Sequence, residues 1–176
     1  MEQAADLVRL IDTLRTGVHH ATSLSGYRQI ISSAAIRHND GSFDFSFGES
    51  RLSNCYDLSA ISLFDFETPS IEFIFDTISQ MKWEAVLFRH RPVILLGIRR
   101  SDLPGQLIEY AEAKRRCGLG GIIPHIEVCH VGEIPITAVF QTVVATRSDT
   151  VNYRTDYSFN RYDGFTMPDG ALTSWS

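Results

Sequence analysis

The chain has 176 residues, of which 44% are hydrophobic and 21% charged, and its net charge is -5 with histidine neutral. One domain is usual at this length, and this balance excludes an intrinsically disordered chain. The acidic charge argues against broad, charge-driven binding to a nucleic-acid backbone, although it leaves room for a local basic cleft.

Cysteine usage and the first residues predict the compartment. Cys55, Cys117 and Cys129 are odd in number and show no paired spacing, so we expect no disulfide scaffold and predict a reducing compartment. The first ten residues carry two acids and no apolar signal-peptide core. No apolar run approaches the roughly 18 residues of a membrane span. We therefore expect a cytoplasmic protein that does not engage a membrane.

The first half of the chain shows helical and strand periodicities in turn. Apolar residues at helical spacing predict two amphipathic helices, and apolar or alternating runs predict three strands separated by polar turns. In chain order the pattern predicts a helix over Ala4–Leu14, a strand over Gly17–Ala21, a helix over Leu24–Ile36, a strand over Phe43–Phe47, a loop over Gly48–Asp57 and a strand over Leu58–Phe66.

The second half continues with two more helices and four strands. Pro69 and Ser70 suit the start of a helix, and the apolar run Pro92–Ile98 predicts a central strand. Polar residues after Asp149 predict a mobile end or a strap over the domain. In chain order we expect a helix from Ser70, strands over Ala85–Phe88 and Pro92–Ile98, a helix over Leu103–Arg116, strands over Ile122–His130 and Ile134–Thr146, and a tail.

The order of these elements predicts the fold class. The strands and helices do not follow the regular alternation of a doubly wound parallel sheet. We therefore predict a single α+β domain over residues 1–176, with a mixed, largely antiparallel sheet flanked by helices. Its core spans about 17–147, and a polar C-terminal tail spans 149–176.

Two motifs suggest chemistry that the sequence does not complete. His125-Ile126-Glu127 has the H-x-E form of a zinc deaminase, but only Cys129 follows where two cysteine ligands are needed. A metal held by His125, Glu127 and Cys129 is an alternative that lacks a fourth ligand. We therefore predict no metal. The glycines of 118–121 follow a helix, whereas a phosphate-binding loop precedes one, so they predict a helix end and a turn.

Three further segments form a pattern in chain order. His20-Ala21-Thr22 ends an early strand and leads directly into a helix that contains Ile30-Ile31. Arg51 lies in a polar loop before an apolar and aromatic strand. Glu127 opens a late strand that is followed by Ile134-Pro135 and a closing strand.

In these segments the sequence resembles the ADP-ribosyltransferase superfamily, most closely the nucleic-acid-modifying toxins of DarT type. The similarity runs from about Val18 to about Thr146. The helix after the first motif ends in Ser-Ala-Ala-Ile, where the family usually has a glycine, and the match at Arg51 depends on the alignment of a variable loop. The resemblance implies a split sheet, NAD as the substrate and transfer of ADP-ribose to a nucleic-acid acceptor, DNA or RNA, rather than to protein. It also implies action as a toxin or defence effector, with an antitoxin as a further partner.

The resemblance also assigns roles to residues. Glu127 is the candidate catalytic carboxylate, because a carboxylate beside the ribose opposes the positive charge of an oxocarbenium-like transition state. Arg51 is a candidate to pair with the pyrophosphate. His20 and Thr22 are candidates to hold the dinucleotide by hydrogen bonds, and the aromatic residues Tyr56 and Phe64 are candidates to stack on nicotinamide.

Less specific interpretations stay open. The His19-His20 pair is typical of a strand end with one ring in the core, and Arg51 is typical of a solvated loop charge. The basic residues Lys114, Arg115 and Arg116 suit a helix C-terminus, or alternatively guide a nucleic-acid acceptor. Rival functions are an NAD glycohydrolase, an RNA 2′-phosphotransferase on the same fold and a non-catalytic interaction domain.

Overall fold

The structure is a computed structural model that describes residues 2–38, 40, 54–81, 92–117, 123, 125–147 and 157–167. The helices of these ranges are α1 (Glu2–Leu14), α2 (Leu24–Ser33), α3 (Asn54–Asp57), α4 (Ile71–Met81) and α5 (Tyr110–Cys117). The strands are β1 (Val18–Thr22), β2 (Ala35–Ile36), β3 (Ile61–Asp65), β4 (Val93–Ile98), β5 (Gln106–Ile108), β6 (Glu127–Val131), β7 (Ile134–Pro135), β8 (Val139–Arg147) and β9 (Tyr157–Asp163). Short 3-10 turns cover Arg100–Asp102 and Ile136–Ala138.

Seven of these strands form one sheet, in the order β5-β6-β3-β1-β4-β8-β9, and every neighbouring pair is antiparallel. Strands β2 and β7 form a separate two-stranded sheet. Together with the flanking helices, this architecture confirms the predicted α+β class. Across the described ranges, none of the helices has the length and hydropathy that a bilayer crossing requires.

The hydrophobic core lies on both faces of the large sheet. Strand β4 is buried along its whole length, and its side chains alternate between two clusters. Val93 and Leu95 pack with apolar residues of α1 and α4, whereas Ile94, Leu96 and Ile98 pack with Tyr27 and Ile30 of α2. The prediction of a central strand at this position is confirmed.

The pairing of β1 differs on its two sides. With β4 it forms a continuous ladder from Val18↔Ile98 to Thr22↔Ile94. With β3 it forms only the pairs Val18↔Asp65 and His19↔Phe64. The ladder between β1 and β3 therefore ends at His19, and we call the unpaired stretch beside His20 the opening between these strands.

The predicted helix over Leu103–Arg116 is wrong in its first part. Gln106–Ile108 forms the edge strand β5, which pairs with β6 from Gln106↔Val131 to Ile108↔Cys129. The helix begins only at Tyr110. Pro104 and Gly105 explain the difference, because a proline disfavours helical dihedral angles in the residue before it and glycine weakens a helix interior.

The predicted polar tail contains a strand. Residues Tyr157–Asp163 form β9, which pairs with β8 from Arg147↔Tyr157 to Gln141↔Asp163. Beyond it, Phe165 is buried and stacks on Tyr27 with ring centroids 5.0 Å apart, while the Tyr27 hydroxyl donates to the Phe165 carbonyl at 2.8 Å. The core therefore extends past residue 147.

Two shorter differences concern helix boundaries. Asn54–Asp57 forms the one-turn helix α3 within a predicted loop. Helix α2 ends at Ser33, since Ala34 adopts a left-handed conformation with φ 54 before β2 begins. The predicted strands Phe43–Phe47 and Ala85–Phe88 and the glycine turn of 118–121 lie outside the described residues.

Candidate functional site

Glu127 is the first residue of β6, and its side chain is only 5% exposed. The Ser62 hydroxyl donates to its Oε1 at 2.5 Å, and the backbone amide of Ile123 donates to its Oε2 at 3.1 Å. The Glu127 amide in turn donates to the Ile123 carbonyl at 3.0 Å. Hydrogen bonds to an ionised carboxylate are among the stronger ones in proteins. The carboxylate is therefore held in one orientation on both of its oxygens.

Strand register explains why Ser62 meets Glu127. Strand β3 lies beside β6, with Ser62 opposite Cys129 and Phe64 opposite Glu127. Residues paired across an antiparallel ladder point to the same face, as do residues two apart on one strand. Ser62 and Glu127 are therefore diagonal neighbours on one face of the sheet.

His20 reaches the same serine from β1. Its ring Nδ1 lies 3.1 Å from the Ser62 carbonyl oxygen. Burial lowers the pKa of His20 below its usual value, although the backbone hydrogen bond to Ser62 opposes the shift. The neutral ring then donates Nδ1–H to this carbonyl, and Nε2 is left as the acceptor; the tautomer is assigned from this contact.

Ser62 thus connects His20 and Glu127, which come from the first and sixth strands, and we call these three residues the Ser62 cluster. The side chains of His20 and Glu127 leave the sheet on opposite faces. The pairing aligns Glu127 with Phe64 and His19, so these three share one face, whereas His20, the next residue of β1, aligns with Leu96 on the other face. The His20 ring contacts Ser62 where the ladder between β1 and β3 ends. A ligand that touches both side chains has to lie across this opening.

The structure describes three of the other predicted binding residues, which are Thr22, Phe64 and Tyr56. Thr22 is buried at the end of β1, two residues from His20 and on the same face. Phe64 is half-buried and paired with Glu127 in the β3–β6 ladder. Tyr56 lies on α3, with its ring 5.6 Å from that of His38. Arg51 lies outside the described residues.

A disulfide borders the Ser62 cluster. Cys55 of α3 is bonded to Cys129 of β6, with their Cα atoms 5.2 Å apart. The Cys55 Sγ lies 3.9 Å from Oε1 of Glu127, in van der Waals contact, because a disulfide sulfur has no hydrogen to donate. The expectation of no disulfide is contradicted by this bond. The separation of 74 residues between the two cysteines carries no signal in the sequence, since packing of α3 on β6 brings them together. Cys117 is half-buried and does not take part in this bond.

The same bond bears on the metal alternative and on the compartment. The sulfur of Cys129 is committed to Cys55, so His125, Glu127 and Cys129 are not available together as metal ligands. Disulfides persist in oxidising environments, so the bond removes the basis on which the sequence predicted a reducing compartment.

His19 is a core residue. It is fully buried, with its Nε2 3.0 Å from Nε2 of Gln141 and its ring 6.2 Å from that of Phe66. Burial lowers the pKa of His19 to about 3, so the ring is neutral near pH 7. Gly97 makes room for it, because a Cβ there would lie 3.0 Å from the His19 Nε2. Of the two adjacent histidines, only His20 contributes to the cluster.

A second polar feature lies at the other end of β3, and the sequence did not predict it. It is an open cleft of about 430 Å³, which we call the Arg100 cleft after the ion cluster at its edge. His20, Ser62 and Glu127 are not among its described lining residues. Those residues are Asp65, Thr68, Pro69, Ser70, Phe73, Glu109, Tyr110, Ala111 and His125.

Arg100 joins two carboxylates of this cleft. Its guanidinium pairs with the buried Asp65 and donates to the exposed Glu109 at 2.8 Å. Burial opposes the charge on Arg100, but hydrogen bonds to Glu109 and Asp65 outweigh it and raise the pKa. Asp65 also accepts from the amides of Glu67 and Thr68 at 3.0 and 3.1 Å. This ion cluster fixes the turn that leads from β3 toward α4.

Comparisons of this chain with models of known protein families, with curated proteins and with solved structures find no match. No family is therefore assigned, and the resemblance in the motifs stays a prediction. The chemistry of the Ser62 cluster has to be argued from its own groups. An oriented carboxylate and a neutral imidazole beside an opening are suited to bind sugar hydroxyls and to oppose a developing positive charge.

Proposed function

We propose that this protein is a mono-ADP-ribosyltransferase, which uses NAD as its substrate and modifies a macromolecule as a toxin or defence effector. The proposal rests on the resemblance and on one observation. His20 contacts the backbone carbonyl of Ser62 and Glu127 contacts its hydroxyl, although the two side chains leave opposite faces of the sheet. The acceptor class, DNA or RNA, is implied by the resemblance alone.

The chemistry assigns a distinct task to each side chain. The bond between the ribose C1′ and nicotinamide breaks with its electron pair leaving on nicotinamide, and the acceptor nucleophile supplies the pair for the new bond to C1′. Glu127 opposes the positive charge on the sugar ring and takes the proton that the acceptor loses. Ser62 orients this carboxylate, and the Nε2 of His20 accepts a hydrogen bond from a dinucleotide hydroxyl.

The burial of Glu127 sets a condition on this mechanism. Because its side chain is only 5% exposed, a ribose reaches the carboxylate only if neighbouring side chains move aside. The unpaired stretch of β1 and β3 after His19 is the place where movement breaks no strand pairing. We therefore expect NAD to enter at this opening.

The test is transfer of label from NAD to separate pools of DNA, RNA and protein by the wild type and by Glu127→Gln. The variant keeps the size of the side chain and removes its charge. One acceptor oxygen becomes an NH2 donor, whose hydrogen bond the Ser62 hydroxyl can accept while the remaining oxygen accepts from the Ile123 amide. We expect a loss of about 100-fold or more in transfer with the folded state retained. Glu133→Gln is the matched control, since Glu133 is 61% exposed and pairs with Arg37.

Three outcomes would contradict or redirect the proposal. Absence of label in every pool with the wild type contradicts it, and so does full activity of Glu127→Gln. Release of free ADP-ribose without any acceptor supports the NAD glycohydrolase instead.

The same proposal includes a cytoplasmic site of action, expected from the sequence, and an antitoxin partner, implied by the resemblance alone. Trapping of free thiols in the cell that makes the protein tests the first point. Cytoplasmic protein is expected to show Cys55 and Cys129 reduced, whereas a fully formed disulfide would contradict a cytoplasmic location.

A further inference from the structure

The disulfide between Cys55 and Cys129 fastens helix α3 beside the Glu127 carboxylate. Cys129 follows Glu127 by two residues on β6, so the two side chains share one face of the sheet. The Cys55 Sγ lies 3.9 Å from Oε1 of Glu127, the oxygen that also accepts from the Ser62 hydroxyl. While the bond is intact, Cys55 cannot leave Cys129, and it therefore stays against the carboxylate.

Helix α3 packs on a small apolar cluster in addition to this bond. It has four residues, a single turn, and a helix of this length is unstable in water without such packing. Most side chains of the cluster are small, and the burial of a small side chain contributes less free energy than the burial of a large one. Without the bond, α3 should therefore open locally far more often than the sheet beneath it. The cluster contains Cys55, Ala60, Ile108, Ala113 and Cys129.

The contact with Cys55 is the part of the cover over Glu127 that depends on oxidation state. The Glu127 side chain is only 5% exposed, so its neighbours have to move before a ligand reaches it. Ser62 belongs to β3 and moves only with the sheet. Cys55 belongs to α3, outside the sheet, and moves with that helix alone once the bond is broken. The redox state of the two cysteines therefore decides whether this side of the carboxylate can open.

We propose that the Cys55–Cys129 bond is a redox lock on Glu127, which is closed when oxidised and is released by a dithiol reductant. The inference rests on the proposed function for the reaction that the carboxylate serves. The protein is then inactive as an ADP-ribosyltransferase in an oxidising compartment and active in a reducing one. This order suits an effector that acts in the cytoplasm, because thiols are kept reduced there.

Release of the lock is a two-electron exchange with the dithiol. One thiolate of the dithiol attacks a protein sulfur, and the S–S bond breaks with its electron pair leaving on the other protein sulfur. The second thiolate then displaces the protein from the mixed disulfide and closes a disulfide within the reductant. Cys55 and Cys129 together gain two electrons and two protons, and the dithiol loses them.

Burial of the two sulfurs sets the speed of this exchange. Cys55 is 1% exposed and Cys129 is 0% exposed, so attack waits for the transient exposure of a sulfur. Uncatalysed disulfide exchange already takes on the order of minutes to hours. The lock therefore responds to the compartment in which the protein resides and not to a brief change in redox conditions.

The first test compares transfer of ADP-ribose from labelled NAD with and without a dithiol. We expect reduction to raise transfer by the wild type about 10-fold or more. The double variant Cys55→Ser/Cys129→Ser should match the reduced wild type under both conditions. Cys117→Ser is the matched control, because Cys117 lies outside the bond, and it should respond to the dithiol as the wild type does.

A second measurement needs no NAD and therefore keeps the lock separate from the reaction. A carbodiimide with an amine labels accessible carboxylates, and mass spectrometry locates the label. Glu127 should be labelled about 10-fold faster in the double variant than in the oxidised wild type. Glu109 is the internal control, since its side chain is 57% exposed and should be labelled at the same rate in both. If the double variant fails to fold, wild type that has been reduced and freed of reductant without oxygen takes its place.

The outcomes separate the lock from the transferase. Equal labelling of Glu127 in the two forms overturns the lock, whatever the transfer assay shows. Transfer that is equal in the two forms, or higher in the oxidised protein, also overturns it. Faster labelling of Glu127 without transfer in either form supports the lock and contradicts the proposed transferase.

Discussion

The Ser62 cluster and the Arg100 cleft are both built on β3, three residues apart in the chain, but their environments differ. In the first, Glu127 is buried and accepts a hydrogen bond on each of its oxygens. In the second, Glu109 is exposed and pairs with Arg100. A buried, oriented carboxylate suits a reaction, whereas an exposed carboxylate in an ion pair contributes little to stability or chemistry.

The two carboxylates that share Arg100 provide the sharpest internal contrast. Asp65→Ala removes a buried partner of Arg100 and also the acceptor of two backbone amides, so we expect it to lower the free energy of unfolding by about 3–5 kcal/mol. Glu109→Gln, on the exposed side of the same guanidinium, should change it by less than about 0.5 kcal/mol. Chemical denaturation measures both. Equal effects would mean that the difference in burial between the two ends of the ion cluster has no energetic consequence.

The Cys55–Cys129 disulfide borders the Ser62 cluster, and its removal measures how much it stabilises the fold there. It closes a loop between residues separated by 74 positions, and its loss should destabilise the folded state by about 2–4 kcal/mol because the unfolded chain regains conformational freedom. Thermal unfolding with and without a dithiol reductant measures this, and Cys55→Ser with Cys129→Ser should reproduce the reduced protein.

Cys117→Ser is the control for this experiment, since Cys117 is not part of the Cys55–Cys129 bond. A count of three free thiols in the purified, non-reduced protein, with no response to reductant, would show that the bond does not form.

Acid should destabilise the protein through His19. Burial lowers its pKa to about 3 in the folded state from the usual 6.5, so below pH 6.5 the unfolded chain binds a proton that the folded chain does not. The contribution of His19 to the free energy of unfolding is fully present above pH 6.5 and decreases as the pH falls toward 3. At pH 5 it is lower by about 2 kcal/mol. Burial shifts the pKa of His20 and His130 in the same direction.

The measurement is denaturation of the wild type and of His19→Gln at pH 8 and pH 5. The wild type should lose about 2 kcal/mol more than the variant between these two pH values. The comparison at pH 8 separates any packing defect of the variant from the effect of protonation. Parallel pH dependences would contradict the assignment of His19 as a buried neutral residue.

Periodicity in the sequence is enough to predict the centre of this fold. Strand β4 is apolar on both faces and α2 has a clear apolar stripe, so both were predicted within a few residues. Strand β5 was missed because its three residues fit a helical pattern, and its strand conformation depends on pairing with β6. Strand β9 was missed because an edge strand exposed to solvent carries polar residues and shows no apolar alternation.

The sequence predicted only those site residues that lie in a recognisable motif. His20 and Glu127 were found because each stands beside recognisable neighbours in the chain. Ser62 lies within the predicted strand Leu58–Phe66, but no local pattern marks it as a site residue, since its contact with Glu127 depends on the register of β3 against β6. The Arg100 cleft takes side chains from the end of β3, from His125 just before β6 and from the starts of α4 and α5, and no local pattern predicts that combination.

A crystal structure of the protein with NAD bound would decide whether the Ser62 cluster holds the dinucleotide. We expect NAD to lie across the opening between β1 and β3, with ribose hydroxyls within hydrogen-bonding distance of the Glu127 carboxylate and the His20 Nε2. A dinucleotide bound elsewhere, or Glu127 still enclosed by Ser62 and Ile123 without contact to the sugar, would contradict it.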